Sequence, residues 1–153
     1  MKVKVDINDE HDETCITIQA KEWSEELEYI VKMIKSRNTK RLVGVEQDQS
    51  ILIHPNEIDY VFAENRKVFA AMAQQKVELK MKLYEVESLL KPLHFTRFSK
   101  SVIGNLNQIL RFELAFNGSL CVHFKSGNKE YVTRNYVAEI KEKLILGGGS
   151  YGN

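Results

Sequence analysis

The stretch from Phe95 to Asn107, with the sequence FTRFSKSVIGNLN, interleaves apolar residues with hydrogen-bond donors and positive charge. The donors and charges belong to Arg97, Ser99, Lys100 and Ser101. Arginine and lysine match phosphate oxygens by charge, and hydroxyl groups can donate to the same oxygens. The stretch therefore predicts an anion-binding loop that its apolar residues anchor to a core. The alternative interpretation is a strand and turn with one solvated face.

Two other segments carry side chains that could contact a nucleic acid. One is the turn with Asn65, Arg66 and Lys67, and the other is Arg134 with Asn135 after the last predicted strand. Arginine and lysine can read guanine, and asparagine can read adenine, in the major groove. Hairpin loops suit this task because strands set their direction while the tips reach outward. The spacing of the segments along the chain does not show that they lie together.

Composition indicates an ordinary soluble globular protein whose charge is unevenly divided. The 153 residues are 43% hydrophobic and 28% charged, with a net charge of +1. Residues 1–59 hold 8 Lys and Arg against 13 Asp and Glu, a net charge of −5, and residues 60–153 hold 14 against 8, a net charge of +6. This asymmetry predicts that the second part meets an anion and the first part does not.

Other classes of protein find little support in the sequence. No apolar run approaches the roughly 20 residues that a membrane helix needs, and the N-terminus lacks the apolar segment of a signal peptide, so we expect a cytoplasmic protein. The histidines show no paired ligand spacing, and there is no GxSxG, Walker or GxGxxG motif. We therefore predict no metal site, no cofactor, no small-molecule substrate and no enzymatic activity. Cys15 and Cys121 are interpreted as buried free thiols.

The first 45 residues predict an acidic ββα extension. Lys2 to Ile7 and Thr14 to Ala20 alternate apolar with polar residues, as half-buried strands do. A helix follows, because apolar residues recur at helical spacing from Trp23, and Asn38 can end it. This piece has few apolar residues for its length, so we expect it to dock on the rest or on a second copy of itself.

Residues 46–146 predict many short strands joined by tight turns. Hairpins are expected around residues 47–49, with Asn65 at positive φ in a Glu64-Asn65 turn, and at Asn117-Gly118. A helix is expected over Lys82 to Lys91, ended by Pro92, and a closing helix over Asn135 to Leu144. The glycine-rich residues 147–153 read as a flexible tail. The predicted fold class is mostly β (α+β overall), built from small antiparallel sheets with short helices.

The same segments resemble the LytTR family of bacterial DNA-binding domains. The family pattern is an acidic-Asn-Arg/Lys turn, a YEV-x-x-KLYELE-like helix, F-x-R-x-x-K-S-x-x-x-N, and a strand that ends in S/T-R-x-Y. This chain has AENRKV, LKMKLYEVESLL, FTRFSKSVIGN and NGSLCVHFKSGNKEYVTRNYV in that order, so the resemblance covers residues 45 to 146 approximately. It implies the LytTR-type fold and double-stranded DNA as partner, with loops at one end of the fold inserted into successive major grooves.

The resemblance also carries contact residues onto this chain. Arg134 in VTRNYV and Lys100 in FSKSVIGN match family positions that contact bases or backbone, and Arg66 and Lys67 lie on the third matching turn. Ser99 departs from members that have an imidazole at this position. Together with the residue-based argument, the candidate DNA-binding residues are Asn65, Arg66, Lys67, Arg97, Ser99, Lys100, Ser101, Arg134 and Asn135. Arg97 lies among apolar neighbours, so its alternative role is to brace the loop.

The N-terminal part of this chain differs from the commonest family architecture, which bears on how the protein is controlled. Many members carry an N-terminal receiver domain, and 45 residues are too few for that doubly wound fold. We therefore expect a stand-alone regulator controlled by abundance, by self-association or by a partner. An inhibitory membrane protein is one partner known for some stand-alone members. Two copies on repeated half-sites are expected because one small module offers little area for specific binding, and the ββα extension is the candidate element for a homodimer.

Two other functions compete with this prediction. The first is a protein-interaction module of the same fold that no longer binds DNA. The second is an RNA or single-strand binder, which would need exposed aromatic side chains for stacking. Phe95, Phe98, Phe112 and Phe116 are spaced as core residues instead, which speaks against the second class.

Overall fold

A computed structural model describes residues 1–36 and 40–145 of the chain. The chain divides into two compact units, Met1–Asn38 and Thr39–Asn153. The predicted flexible tail, residues 147–153, lies outside the described residues. Among the described residues, no helix has both the length and the apolar character needed to cross a bilayer.

The first unit contains the predicted helix, α1, at Glu25–Ser36. The Oγ atom of Ser24 accepts a hydrogen bond of 3.1 Å from the backbone N–H of Leu27, which is the geometry of an N-cap. Three glutamates crowd the first turn, where the partial positive charge of the helix N-terminus favours them. The predicted stop at Asn38 lies outside the described residues.

The two strands predicted before α1 are absent from residues 1–24, all of which are described. Val3, Val5 and Ile7 are 78–92% exposed, so their alternation does not produce a buried face. A strand needs a neighbour that pairs with its N–H and C=O groups, and alternation alone does not supply one. The prediction of ββα was therefore wrong for the strands. The prediction that Cys15 is buried was also wrong, because this thiol is exposed.

The second unit is mostly antiparallel β structure, which confirms the predicted fold class. Within its described residues the elements are β1 Leu42–Glu46, β2 Gln49–Ile53, β3 Tyr60–Glu64, β4 Lys67–Ala71, β5 Lys76–Leu79, α2 Leu83–Leu90, β6 Phe95–Arg97, β7 Val102–Asn105, β8 Ile109–Leu114, β9 Leu120–Phe124, β10 Lys129–Val132 and α3 Arg134–Leu144. One sheet has seven strands in the order β2-β1-β5-β4-β3-β7-β6, and the other has three in the order β10-β9-β8. Strand β1 belongs to this unit, so the predicted domain boundary at residue 45 falls inside it.

The seven-stranded sheet is covered on both faces. Residues such as Val61 and Ile103 pack with Val86 and Leu90 of α2 in one buried cluster. The alternate residue, Tyr60, faces a second cluster formed with the three-stranded sheet and α3. Because successive residues of a strand point to opposite faces, β3 buries apolar side chains on both sides. The unit thus has a central sheet between α2 and the layer of the second sheet with α3.

Asp59 ties the second sheet to the first at the start of β3. Its carboxylate is buried and accepts hydrogen bonds from the hydroxyl of Ser126 at 2.5 Å and from the side-chain amide of Asn128 at 2.9 Å. The Asn128 amide also donates to the carbonyl of Met72 at 3.0 Å. Both donors lie in the turn between β9 and β10, so this turn is held at the end of β3 opposite its hairpin with β4.

Phe98 ties the two layers at the other end. Its ring is fully buried and stacks on Phe124, with 6.3 Å between the ring centroids. The ring also lies over Gly104 of β7, where any Cβ atom would overlap it. Gly104 is therefore required by close approach of an aromatic ring and not by an unusual backbone conformation.

Substitution of Gly104 by alanine should destabilise the protein through this overlap. We expect a loss of about 1–3 kcal/mol in the free energy of unfolding, the usual cost of an overpacked core. The measurement is urea denaturation of the variant beside the wild type. Combining Gly104→Ala with Phe98→Leu removes the ring, so the two costs should not add. Simple additivity in the double variant would show that the ring is not the obstacle.

Candidate nucleic-acid interface

The β3–β4 turn presents Asn65 and Arg66 at its tip. These two residues have φ angles of +52° and +64°, which is the pattern of a two-residue type I′ hairpin turn. The positive φ predicted for Asn65 is confirmed, whereas the turn predicted at Glu64-Asn65 lies one residue further on. Lys67 is the first residue of β4. All three candidate side chains of this turn are exposed.

The loop between β6 and β7 is closed by main-chain bonds. The carbonyl of Val102 accepts from the backbone N–H of Phe98 at 2.9 Å and from that of Ser99 at 3.3 Å. The hydroxyl of Ser99 accepts from the backbone N–H of Ser101 at 3.2 Å. This arrangement leaves Lys100 and Ser101 exposed, while Ser99 is partly buried.

Arg97 is held underneath this loop. Its Nε donates to a Glu87 carboxylate oxygen at 2.8 Å, and a second guanidinium nitrogen lies 3.5 Å from the other oxygen. A third nitrogen donates to the carbonyl of Lys100 at 2.7 Å. The Arg97 side chain is 20% exposed. Its donors thus connect helix α2 to the loop backbone, which is the geometry that a bracing residue requires.

The junction between β10 and α3 holds the third set of candidates. Helix α3 begins at Arg134, one residue earlier than predicted, so Arg134 and Asn135 form its first turn. Both residues are exposed. The hydroxyl of Thr133, the N-cap residue, bonds to Phe98 and not to the helix. The first N–H groups of the helix and its dipole therefore add an anion-attracting end beside Arg134, which sequence reasoning missed.

The structure brings the three segments together. The backbone N–H of Ala63, next to the β3–β4 turn, donates to the carbonyl of Ser101 at 2.9 Å. The backbone N–H and the hydroxyl of Thr133 both reach the carbonyl of Phe98, at 2.8 Å and 3.3 Å. The β6–β7 loop is therefore bonded to both other segments. All nine candidate residues lie in or directly beside this cluster, with Arg97 turned toward α2.

The cationic side chains of the three loops differ in whether a nearby carboxylate neutralises them. Within the described part of the chain, Arg66, Lys100 and Arg134 make no ion pair. Lys67 lies 4.0 Å from Glu78. The pKa of Glu78 is lowered, first by a hydrogen bond from Lys80 and then by the charges of Lys80 and Lys67, against an opposing desolvation effect. Glu78 thus stays ionised and offsets part of the Lys67 charge.

The β8–β9 hairpin tip is a neighbour that the sequence analysis did not place here. Its turn is centred on Phe116 and Asn117, because Ala115 bonds to Gly118 and to Ser119. The prediction that Phe116 belongs to the core was wrong, since its side chain is fully exposed. Gly118 has a φ of +83°, and a Cβ there would lie 3.4 Å from Cδ of Arg134. The Asn117-Gly118 pair correctly predicted a hairpin here, but not which two residues lie at the centre of its turn.

Comparisons with known proteins identify a matching family model and a set of similar relatives. The family model described as LytTr DNA-binding domain matches residues 48–145. Two similar relatives, both named uncharacterized HTH-type transcriptional regulators, come from Staphylococcus aureus strains bovine RF122 / ET3-1 and MSSA476. Each is 32% identical over 147 residues, which is 95% of this chain and 99% of the relative.

A solved structure supports the fold independently. It is a LytTr DNA-binding domain from Bacillus cereus, which aligns with a TM-score of 0.65 at 20% sequence identity. The alignment covers 71% of this chain and all of that domain. The family match, the similar relatives and the shared fold lead to one conclusion: this chain belongs to the LytTR family of DNA-binding domains.

Proposed function

We propose that this protein is a transcriptional regulator that reads double-stranded DNA by inserting Arg66, Lys100 and Arg134 into the major groove. The observation that carries the proposal is the pair of main-chain links, Ala63 to Ser101 and Thr133 to Phe98, which gather three cationic loops on one surface. The names of the relatives support the regulatory role, because they describe transcriptional regulators. The proposed place of action is the bacterial cytoplasm, where promoter DNA lies.

The chemistry of the surface divides into positioning and reading. Lys67, the hydroxyls of Ser99 and Ser101, and the N–H groups at the start of α3 can bind phosphate oxygens. Arginine and lysine at the tips can reach guanine O6 and N7. Asn65 and Asn135 offer the side-chain amide that pairs with adenine. Phosphate contacts would supply most of the affinity and its salt dependence, and the base contacts would supply the preference.

Arg134→Ala should weaken binding to the preferred duplex by roughly 5- to 150-fold, the equivalent of about 1–3 kcal/mol for one good base contact. The measurement is fluorescence anisotropy on duplex DNA from upstream of the protein's own gene and on random duplex, at two salt concentrations. Lys129→Ala is the matched control, because Lys129 is exposed at the opposite end of β10. The control should keep the preference for the upstream duplex.

Equal, weak binding of the wild type to both duplexes, abolished by moderate salt, would contradict sequence-specific reading. The same surface would then be only a basic patch. A protein-interaction module of this fold, the alternative function, would take its place.

Glu87→Ala should also weaken specific binding, although it removes a negative charge that DNA repels. The expected cause is the loss of the brace from Glu87 through Arg97 to the Lys100 carbonyl. Anisotropy titration on the preferred duplex measures the effect. Glu142→Ala on α3 is the control, since it removes the same charge from an exposed side chain that makes no described ion pair. If both variants bind the preferred duplex more tightly than wild type, the removed charge alone determines the affinity and the brace has no role.

The first unit is our proposed dimerisation element. Trp23, Tyr29 and Met33 are 54–66% exposed, and the apolar residues of the preceding segment are also exposed. These exposed apolar side chains are the surface that a second copy of the chain would cover. Two copies would place two loop clusters on repeated half-sites of the DNA.

Deletion of residues 1–38 should convert a dimer into a folded monomer. The deletion ends before β1, because removal of 45 residues would also remove most of that strand from the sheet. Light scattering after size-exclusion chromatography gives the mass of each form, and circular dichroism shows whether the β fold persists. A dimer that survives the deletion eliminates the first unit as the interface.

A further inference from the structure

The outer face of the three-stranded sheet carries a cluster of three side chains that the proposed DNA surface does not use. Leu120, Val122 and Phe124 of β9 point into the core, so the alternate residues Cys121 and His123 lie on the opposite face of the sheet. The Cys121 thiol is buried there and His123 is partly exposed. Glu113 of β8 lies directly opposite Cys121 in the antiparallel register. The strand pairing therefore places a thiol, an imidazole and a carboxylate side by side.

The ligand atoms of the cluster converge. Nε2 of His123 lies 3.1 Å from Oε1 of Glu113 and 3.7 Å from Sγ of Cys121, and the three atoms all lie within 4.8 Å of one another. Bonds from zinc of about 2.3 Å to sulfur and about 2.0–2.2 Å to nitrogen and oxygen imply tetrahedral separations of roughly 3.6 Å for S···N and roughly 3.4 Å for N···O. The observed N···O distance of 3.1 Å and S···N distance of 3.7 Å differ from these by a few tenths of an ångström.

The Nε2 atom of His123 faces two potential ligand atoms at once. A neutral imidazole has one N–H, and the same Nε2 atom faces both the carboxylate and the thiol. Hydrogen bonding links these groups in the metal-free protein, and a cation placed between the three atoms would contact all of them. Thiolate, imidazole and carboxylate together form a ligand set that suits Zn²⁺.

We propose that Glu113, Cys121 and His123 bind one Zn²⁺ ion, with water in the fourth position. Two ligands come from one strand and are held in place by the sheet. The Glu113 side chain is 69% exposed and can rotate to complete the set, and the His123 side chain is 22% exposed, which leaves a path for the ion. Binding releases the Cys121 thiol proton to solvent, because the thiolate is the ligand.

The proposed ion would cross-link β8 to β9 close to their hairpin tip. The pair Glu113 and Cys121 is followed by Leu114 and Leu120, after which the chain turns. Since the ion binds the folded arrangement and the unfolded chain lacks it, Zn²⁺ should raise the melting temperature. This readout does not depend on DNA binding, so the metal site and the proposed function can fail separately.

Titration of the tag-free, chelator-treated full chain with Co²⁺ tests the site, because Co²⁺ bound to a thiolate absorbs in the near ultraviolet. We expect one equivalent to produce this band and one equivalent of Zn²⁺ to remove it. Cys121→Ser should abolish the band. His123→Asn and Glu113→Gln should each weaken binding by more than the roughly 10- to 100-fold that loss of an outer partner costs.

Two control variants separate this site from other ligands of the chain. Cys15→Ser removes the other thiol and His94→Asn removes an exposed imidazole, and both should leave the titration unchanged. The partly exposed His123 and the exposed Glu113 keep the test valid if Cys121→Ser fails to fold, as judged by circular dichroism. Absence of the band in the wild type, its loss in Cys15→Ser, or full affinity in His123→Asn would each overturn the proposal.

Discussion

The placement of Phe98 is the constraint on which the candidate interface depends. Its ring is buried against Gly104 and Phe124, and its carbonyl accepts both donors of Thr133. One residue thus anchors the β6–β7 loop in the core and receives the start of α3 from the other layer. Because Phe98 is buried, the packed core fixes the positions of the exposed loop tips, and the stiffness of the separate hairpins is not needed for this.

Local structure followed the sequence where a short-range rule decided it. Alternation and turn chemistry were enough to predict the two strands on either side of Asn65. Helical spacing was enough to predict α1 and α2. The adjacency of the three loops could not be obtained in this way. It rests on bonds such as the one between Thr133 and Phe98, residues that lie 35 positions apart. Only the resemblance to the family implied it.

The errors have physical causes as well. Alternation in residues 1–24 describes two faces, but strand pairing needs a partner that periodicity does not reveal. The turn after β8 is centred one residue earlier than predicted, so Phe116 lies at its exposed tip and not in the core. The proximity of Glu113 to Cys121 is a different case: spacing along the chain does not reveal it, because the two residues lie on neighbouring strands.

The loop cluster is held by main-chain atoms, and this has a consequence for how such proteins diverge. The carbonyls of Phe98, Ser101 and Val102 accept the anchoring bonds, and none of these bonds involves the tip side chains of Arg66, Lys100 or Arg134. Exchange of a tip side chain therefore leaves the scaffold intact. After gene duplication, one copy could acquire a new binding preference through a few substitutions of exposed residues. None of these substitutions would need to pass through a variant that fails to fold.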